Sequence, residues 1–107
     1  MALDTETAFT KKISAVLGSE DLVVVLDESD GCGAKFNVLV VSDSFTGKMP
    51  LERHQWFNEA FAAEIAAAHA VSMTLWTHKQ FAKRQERGKV PPAFVERLGE
   101  DISVRTS

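Results

Sequence analysis

Residues 22–42 read Leu-Val-Val-Val-Leu-Asp-Glu-Ser-Asp-Gly-Cys-Gly-Ala-Lys-Phe-Asn-Val-Leu-Val-Val-Ser, and this stretch decides the fold class. Leu22 to Leu26 is a Val-rich run whose β-branched side chains suit a pleated surface better than a helix turn. Lys35 to Ser42 reads as a second strand, with Phe36, Val38 and Val40 on one face and Lys35, Asn37, Leu39 and Val41 on the other. Between them, residues 27–34 are turn formers almost throughout. Two adjacent strands with a Gly-rich connection predict a β-hairpin.

Upstream, Asp4 and Thr5 are candidate N-caps of a first helix. Phe9, Ile13, Val16 and Leu17 fall at helical spacing on one face, and Gly18 supplies a stop. Downstream, residues 42–49 form a polar connection, and Pro50 suits the first position of a helix, where a missing N–H costs nothing. Phe57, Phe61 and Ile65 mark the buried face of an Ala-rich stretch to Ala68, which propensity alone draws as one helix. Val71 to Trp76 reads as a third strand. Thr77 and Gln80 sit three apart, as in a capping box, and open a helix through about Gln85. Gly88 and the Pro91–Pro92 pair end it, and Phe94, Val95 and Leu98 make one further turn, docked or loose. The order helix, strand, strand, helix, strand, helix predicts an α+β sandwich with a three-stranded sheet and helices packed on one face.

A chain of 107 residues fits one domain, and its 45% hydrophobic and 25% charged content is ordinary for a globular protein. Residues 1–85 carry eight basic against eleven acidic side chains, which is the whole net charge of −3, and the remainder is balanced. That balance lacks the basic stripe by which nucleic-acid binders displace counterions. One cysteine allows no internal disulfide, which excludes a disulfide scaffold. No apolar run approaches the roughly 20 residues of a membrane span, and the first fifteen residues resemble neither a signal peptide nor an Arg-rich presequence. The simplest expectation is a cytosolic protein without a membrane.

Two residues carry metal-binding potential. Cys32, flanked by Gly31 and Gly33, has an uncrowded thiol on a loop, and reads either as a ligand or as a cysteine in a hairpin turn. His69 stands where the Ala-rich helix gives way to the third strand. It reads as a borderline ligand, a charge partner for the helix end or a hydrogen-bonded core histidine. His54 and His78 show no ligand spacing with each other. One Cys and one His supply half of a four-coordinate site, so bound metal requires ligands from a partner. A thiol–imidazole enzyme lacks a third, orienting group here, and no P-loop, dinucleotide fingerprint or metalloprotease helix is present, so no catalytic residue and no enzyme is expected. Arg53 and His54, with Lys48 nearby, are placed to meet a phosphate backbone, but Glu52, Glu59 and Glu64 on the same helical stretch repel one.

Taken together, the run from Val38 to Lys48 with its Ser-x-x-Phe-x-Gly-Lys turn, then Arg53-His54, Asn58-Glu59 and His69-Ala70, resembles the BolA-like family over roughly residues 10–85. The resemblance implies a BolA fold akin to class II KH domains, in the order αββααβα, with the long helix broken near residues 59–62. It makes residues 1–85 the BolA-like domain and leaves 86–107 as a C-terminal extension, expected to be loosely ordered. A KH-type Gly-x-x-Gly clamp is absent, so RNA binding does not carry over.

Family members pair with monothiol glutaredoxins around a [2Fe–2S] cluster, the glutaredoxin and its bound glutathione each giving a thiolate. The resemblance implies that His69 and Cys32 complete that set, with no cluster held by the isolated chain, and that Lys48, Arg53 and His54 serve helix packing or the partner surface. The implied role is a non-enzymatic adaptor in iron–sulfur cluster assembly and iron homeostasis, with apo iron–sulfur proteins as recipients. The alternative is a nucleic-acid-binding transcriptional regulator. The cysteine loop is like that of mitochondrial members and the Gly-Lys run like that of cytosolic ones. The cytoplasm is the expected compartment, with nucleus and mitochondrion as alternatives.

Overall fold

The computed structural model describes residues 2–29 and 33–98. Helix α1 (Ala2–Ser14) leads into strands β1 (Leu22–Asp27) and β2 (Lys35–Val41). A 3-10 turn (Asp43–Phe45) precedes helices α2 (Pro50–Ala60) and α3 (Ala62–Ala67), strand β3 (Ala70–Trp76) and helix α4 (His78–Glu86). The sheet order is β1-β2-β3. β1 and β2 pair antiparallel from Leu22↔Val41 to Asp27↔Phe36, as a hairpin must. β2 and β3 pair parallel from Lys35↔Ala70 to Val41↔Trp76, and α2 with α3 supply the crossover that a parallel pair requires. No helix among the described residues is long and apolar enough to cross a membrane.

The central strand explains its own sequence. Val38, Leu39, Val40 and Val41 are all fully buried, so both faces of β2 are covered and the apolar run is unbroken. On one face Val25, Phe36, Val38, Val40 and Leu75 meet Phe9 and Ile13 of α1, with Phe45, Phe57 and Phe61. The aromatic rings there meet edge-on or tilted, Phe9 with Phe36 at 5.8 Å and Phe57 with Phe61 at 4.8 Å between centroids. On the other face Val24, Leu26, Leu39 and Val41 are covered by Phe81 of α4 and by Val90, Phe94 and Leu98.

The α+β class, the three-stranded sheet and the αββααβα order are therefore as expected, and the helix break falls at Phe61, whose backbone departs from helix at φ −122°, ψ 32°. Three details correct the sequence reading. Asp4 and Thr5 lie within α1, not at its cap, and Val16 is 57% exposed instead of facing the core. The expectation of a loose extension does not hold over residues 90–98, where residues 92–98 are helical and Val90, Phe94 and Leu98 are buried. With Phe81, they give the sheet a cover on its second face in addition to the helices expected on the first.

Candidate functional site

The hairpin places the first part of the site. Glu28 N–H donates to the Lys35 carbonyl at 2.8 Å and closes the stem. Ser29 N–H donates to Asp27 Oδ1, and Lys35 N–H donates to Ser29 Oγ at 3.0 Å, so short polar side chains hold the turn as Asx and Ser turns do. Hydrogen bonds from Ser29 lower the pKa of Asp27 below the usual carboxylate range. Gly33, at the end of the loop, has φ +130°, a backbone conformation available in practice to glycine.

His69 arrives from the other direction. α3 ends at Ala67, and Ala68 turns extended at φ −92°, ψ 154°, with its N–H returned to the Glu64 and Ile65 carbonyls. The next two N–H groups, of His69 and Ala70, both donate to the Ala34 carbonyl, at 2.7 and 3.2 Å. This pair of hydrogen bonds to one carbonyl fixes the His69 backbone against the end of the hairpin loop. A Cβ built on Gly33 would stand 3.1 Å from His69 Cβ and 3.8 Å from its Nδ1. His69 is exposed, and its ring makes no hydrogen bond among the described residues. The histidine is thus positioned by its backbone and its glycine neighbour, with its side chain exposed.

Cys32 lies outside the described residues; in the sequence it immediately precedes Gly33. Among the described residues no three His, Cys, Asp or Glu side chains gather as a metal-ligand set. What the site offers on its own is one exposed imidazole beside the cysteine-bearing loop. Such a donor can add a ligand to a group held elsewhere, and it cannot enclose a metal alone.

The residues assigned to a partner surface divide differently. Arg53 is buried, so of its two expected roles it takes helix packing, and its placement on a partner surface is corrected. Its Nε donates to the Lys48 carbonyl at 3.0 Å, and Nη1 donates to the Leu75 carbonyl at 3.1 Å and to Gln80 Oε1 at 2.8 Å. The guanidinium also lies 5.7 Å from the centre of the Phe45 ring. It therefore ties α2, the end of β3 and the cap of α4 together. Lys48 and His54 remain exposed. Arg53 binds β3 at Leu75, six residues beyond His69, which at about 3.3 Å per strand residue separates the two by roughly 20 Å. The structure does not bring this group together with His69.

His78 is a structural partner as well. Its Nε2 lies 3.2 Å from Asp21 Oδ1, while Ser42 Oγ donates to Asp21 Oδ2 at 2.9 Å and Gly18 N–H does so at the same distance. Partial burial works against the Asp21 carboxylate, but these hydrogen bonds outweigh it and lower its pKa. The sequence reading missed Gly33 and the Ala34 carbonyl as the elements that position His69; glycine directly after Cys32 was the available signal.

Comparison with known proteins bears on this geometry. The family model described as BolA-like protein matches residues 8–80. BolA-like protein 2 of Saccharomyces cerevisiae is 34% identical over 79 residues, covering 74% of this chain and 66% of that protein, so the match spans just under two thirds of that relative. BolA-like protein 2 of Homo sapiens is 32% identical over 77 residues, covering 72% of this chain and 90% of its own. Among solved structures, a bol-like protein from Babesia bovis superposes with a TM-score of 0.66 at 32% identity, covering 75% of this chain and 92% of that one.

Proposed function

The chain belongs to the BolA-like family, and on that premise we propose that it is a non-enzymatic adaptor that binds a monothiol glutaredoxin and shares its [2Fe–2S] cluster. The observation that carries this reading is the fixed but uncommitted His69, whose backbone is clamped by the Ala34 carbonyl while its ring stays exposed. His78, by contrast, commits a ring nitrogen to Asp21. One cysteine and one candidate histidine in the sequence make half of a four-coordinate set, which suits a cluster that is cargo, held between two proteins.

In this role neutral His69 gives one ring nitrogen to an iron, and Cys32, as thiolate, gives the second ligand. The partner's active-site thiolate and its glutathione supply the others. Loading then releases the thiol proton of Cys32, so the shared complex weakens as the medium is acidified. Imidazole in place of one thiolate raises the potential of a [2Fe–2S] centre, as in Rieske-type sites. Because the ring of His69 makes no hydrogen bond among the described residues, the outer support that usually fixes a histidine ligand comes, in this reading, from the glutaredoxin or from water.

Anaerobic size-exclusion chromatography tests the reading. Cluster-loaded monothiol glutaredoxin mixed with this protein is expected to elute as a one-to-one heterodimer that retains iron and sulfide. Separate elution of the two proteins, with the cluster left on glutaredoxin, would contradict it.

A further inference from the structure

We propose that the C-terminal end of α4 is a docking groove for a short acidic peptide segment of a partner protein. The groove, of about 310 Å³, is lined by Gln80, Lys83, Arg84, Arg87 and Lys89. It lies at the Trp76 end of β3, away from His69, and so does not depend on the cluster site.

The local sequence builds it. α4 ends at Glu86, and Gly88 takes φ +65°, the left-handed conformation that terminates helices. Gly88 N–H returns to the Gln85 carbonyl at 3.2 Å and Lys89 N–H to the Arg84 carbonyl at 2.7 Å, which is the paired bonding of a Schellman turn. That reversal folds Lys89 back across the helix end, beside the two cations of the last turn. The Arg84 guanidinium packs on the Trp76 ring, 4.8 Å from its centre, and is thereby held ready as a planar fork for carboxylate.

Cations in a last helical turn usually answer the helix dipole, and Lys83 and Arg84 do so. That role does not account for Arg87 and Lys89, which follow the helix. Nor are these side chains needed as caps, since the Lys83, Arg84 and Gln85 carbonyls already accept backbone N–H groups. None of the four cations has a carboxylate partner among the described residues. In a chain of net charge −3, four converging unpaired cations form a local site of opposite sign.

The surroundings favour a short segment over a long polyanion. At the other end of α4 a second hollow is lined by Glu20, Asp43 and His78, and Asp21 stands against His78. A nucleic-acid strand running along the helix would meet these carboxylates, whereas a few acidic side chains fill the basic end alone.

Fluorescence anisotropy with the full chain tests this, using a labelled oligo-glutamate peptide and a single-stranded oligothymidylate of matched charge. Wild type is expected to bind the peptide saturably, more weakly at high salt, and more tightly than the oligothymidylate. Arg87→Glu should weaken peptide binding roughly tenfold, with Lys89→Glu as a second variant of the groove. Lys11→Glu makes the same change in net charge on α1, against the opposite face of the sheet, and should leave affinity within about twofold. No saturable binding, equal losses from the α1 and groove variants, or tighter binding of the oligothymidylate would overturn the proposal.

Discussion

A side chain on Gly33 would crowd His69: its Cβ would stand 3.1 Å from that of the histidine, tighter than most such contacts. Gly33 also carries φ +130°, so any other residue is strained there on conformational grounds as well. Gly33→Ala is therefore expected to cost about 1–2 kcal/mol of stability, read by urea unfolding. A variant as stable as wild type would contradict this contact.

Arg53 predicts a stability effect of a different origin. Its buried guanidinium serves the Lys48 and Leu75 carbonyls and Gln80 Oε1. Arg53→Ala strands those acceptors and should cost about 2–4 kcal/mol. Arg53→Lys should recover little, because an ammonium on a flexible stem does not reproduce a planar fork. Full rescue by lysine in chemical denaturation would show that charge alone matters here.

Phe94 lies 1% exposed over the second face of the sheet, against a cluster that includes Leu39 and Val41. Phe94→Ala should destabilise the whole domain by about 3–5 kcal/mol and increase binding of a hydrophobic dye. A loosely attached extension would instead leave the unfolding midpoint unchanged.

Acid should loosen the junction between the end of α1, β2 and α4. Asp21 has a lowered pKa in the folded protein, against about 3.9 in an unfolded chain. The unfolded state thus takes up the proton first. The stabilisation is complete above pH ~4 and is lost as pH falls through the folded value. Glu64, lowered by its hydrogen bond from Lys12, acts in the same direction. Asp21→Asn should flatten the fall in stability between about pH 4 and pH 2, followed by thermal melts across that range. An identical pH profile in the variant would show that the Asp21 cluster makes no such contribution.

The hairpin, the Pro50 start and the Thr77–Gln80 capping box were legible because each is set by neighbours in sequence. The Val38–Val41 run was legible as a strand with helices on one face only, because its second cover lies some fifty residues later, at Val90, Phe94 and Leu98. The break at Phe61 has no glycine or proline to mark it; the ring is buried against Phe57 and Phe9, and only the core shows why. Arg53 read as a surface cation because its acceptors, at Leu75 and Gln80, are brought to it by tertiary folding. For the candidate site, His69 was legible by type and position. Its orientation was not, since it depends on the Ala34 carbonyl and on the bare backbone of Gly33.

Visible circular dichroism of the reconstituted cluster tests the central claim most directly. The protein is mixed without oxygen with a monothiol glutaredoxin, glutathione, iron and sulfide, beside His69→Ala and Cys32→Ala. The shared-ligand account predicts a wild-type spectrum distinct from that of the glutaredoxin homodimer, altered in each variant and most strongly by loss of the histidine. A wild-type mixture with the homodimer spectrum unchanged would contradict it.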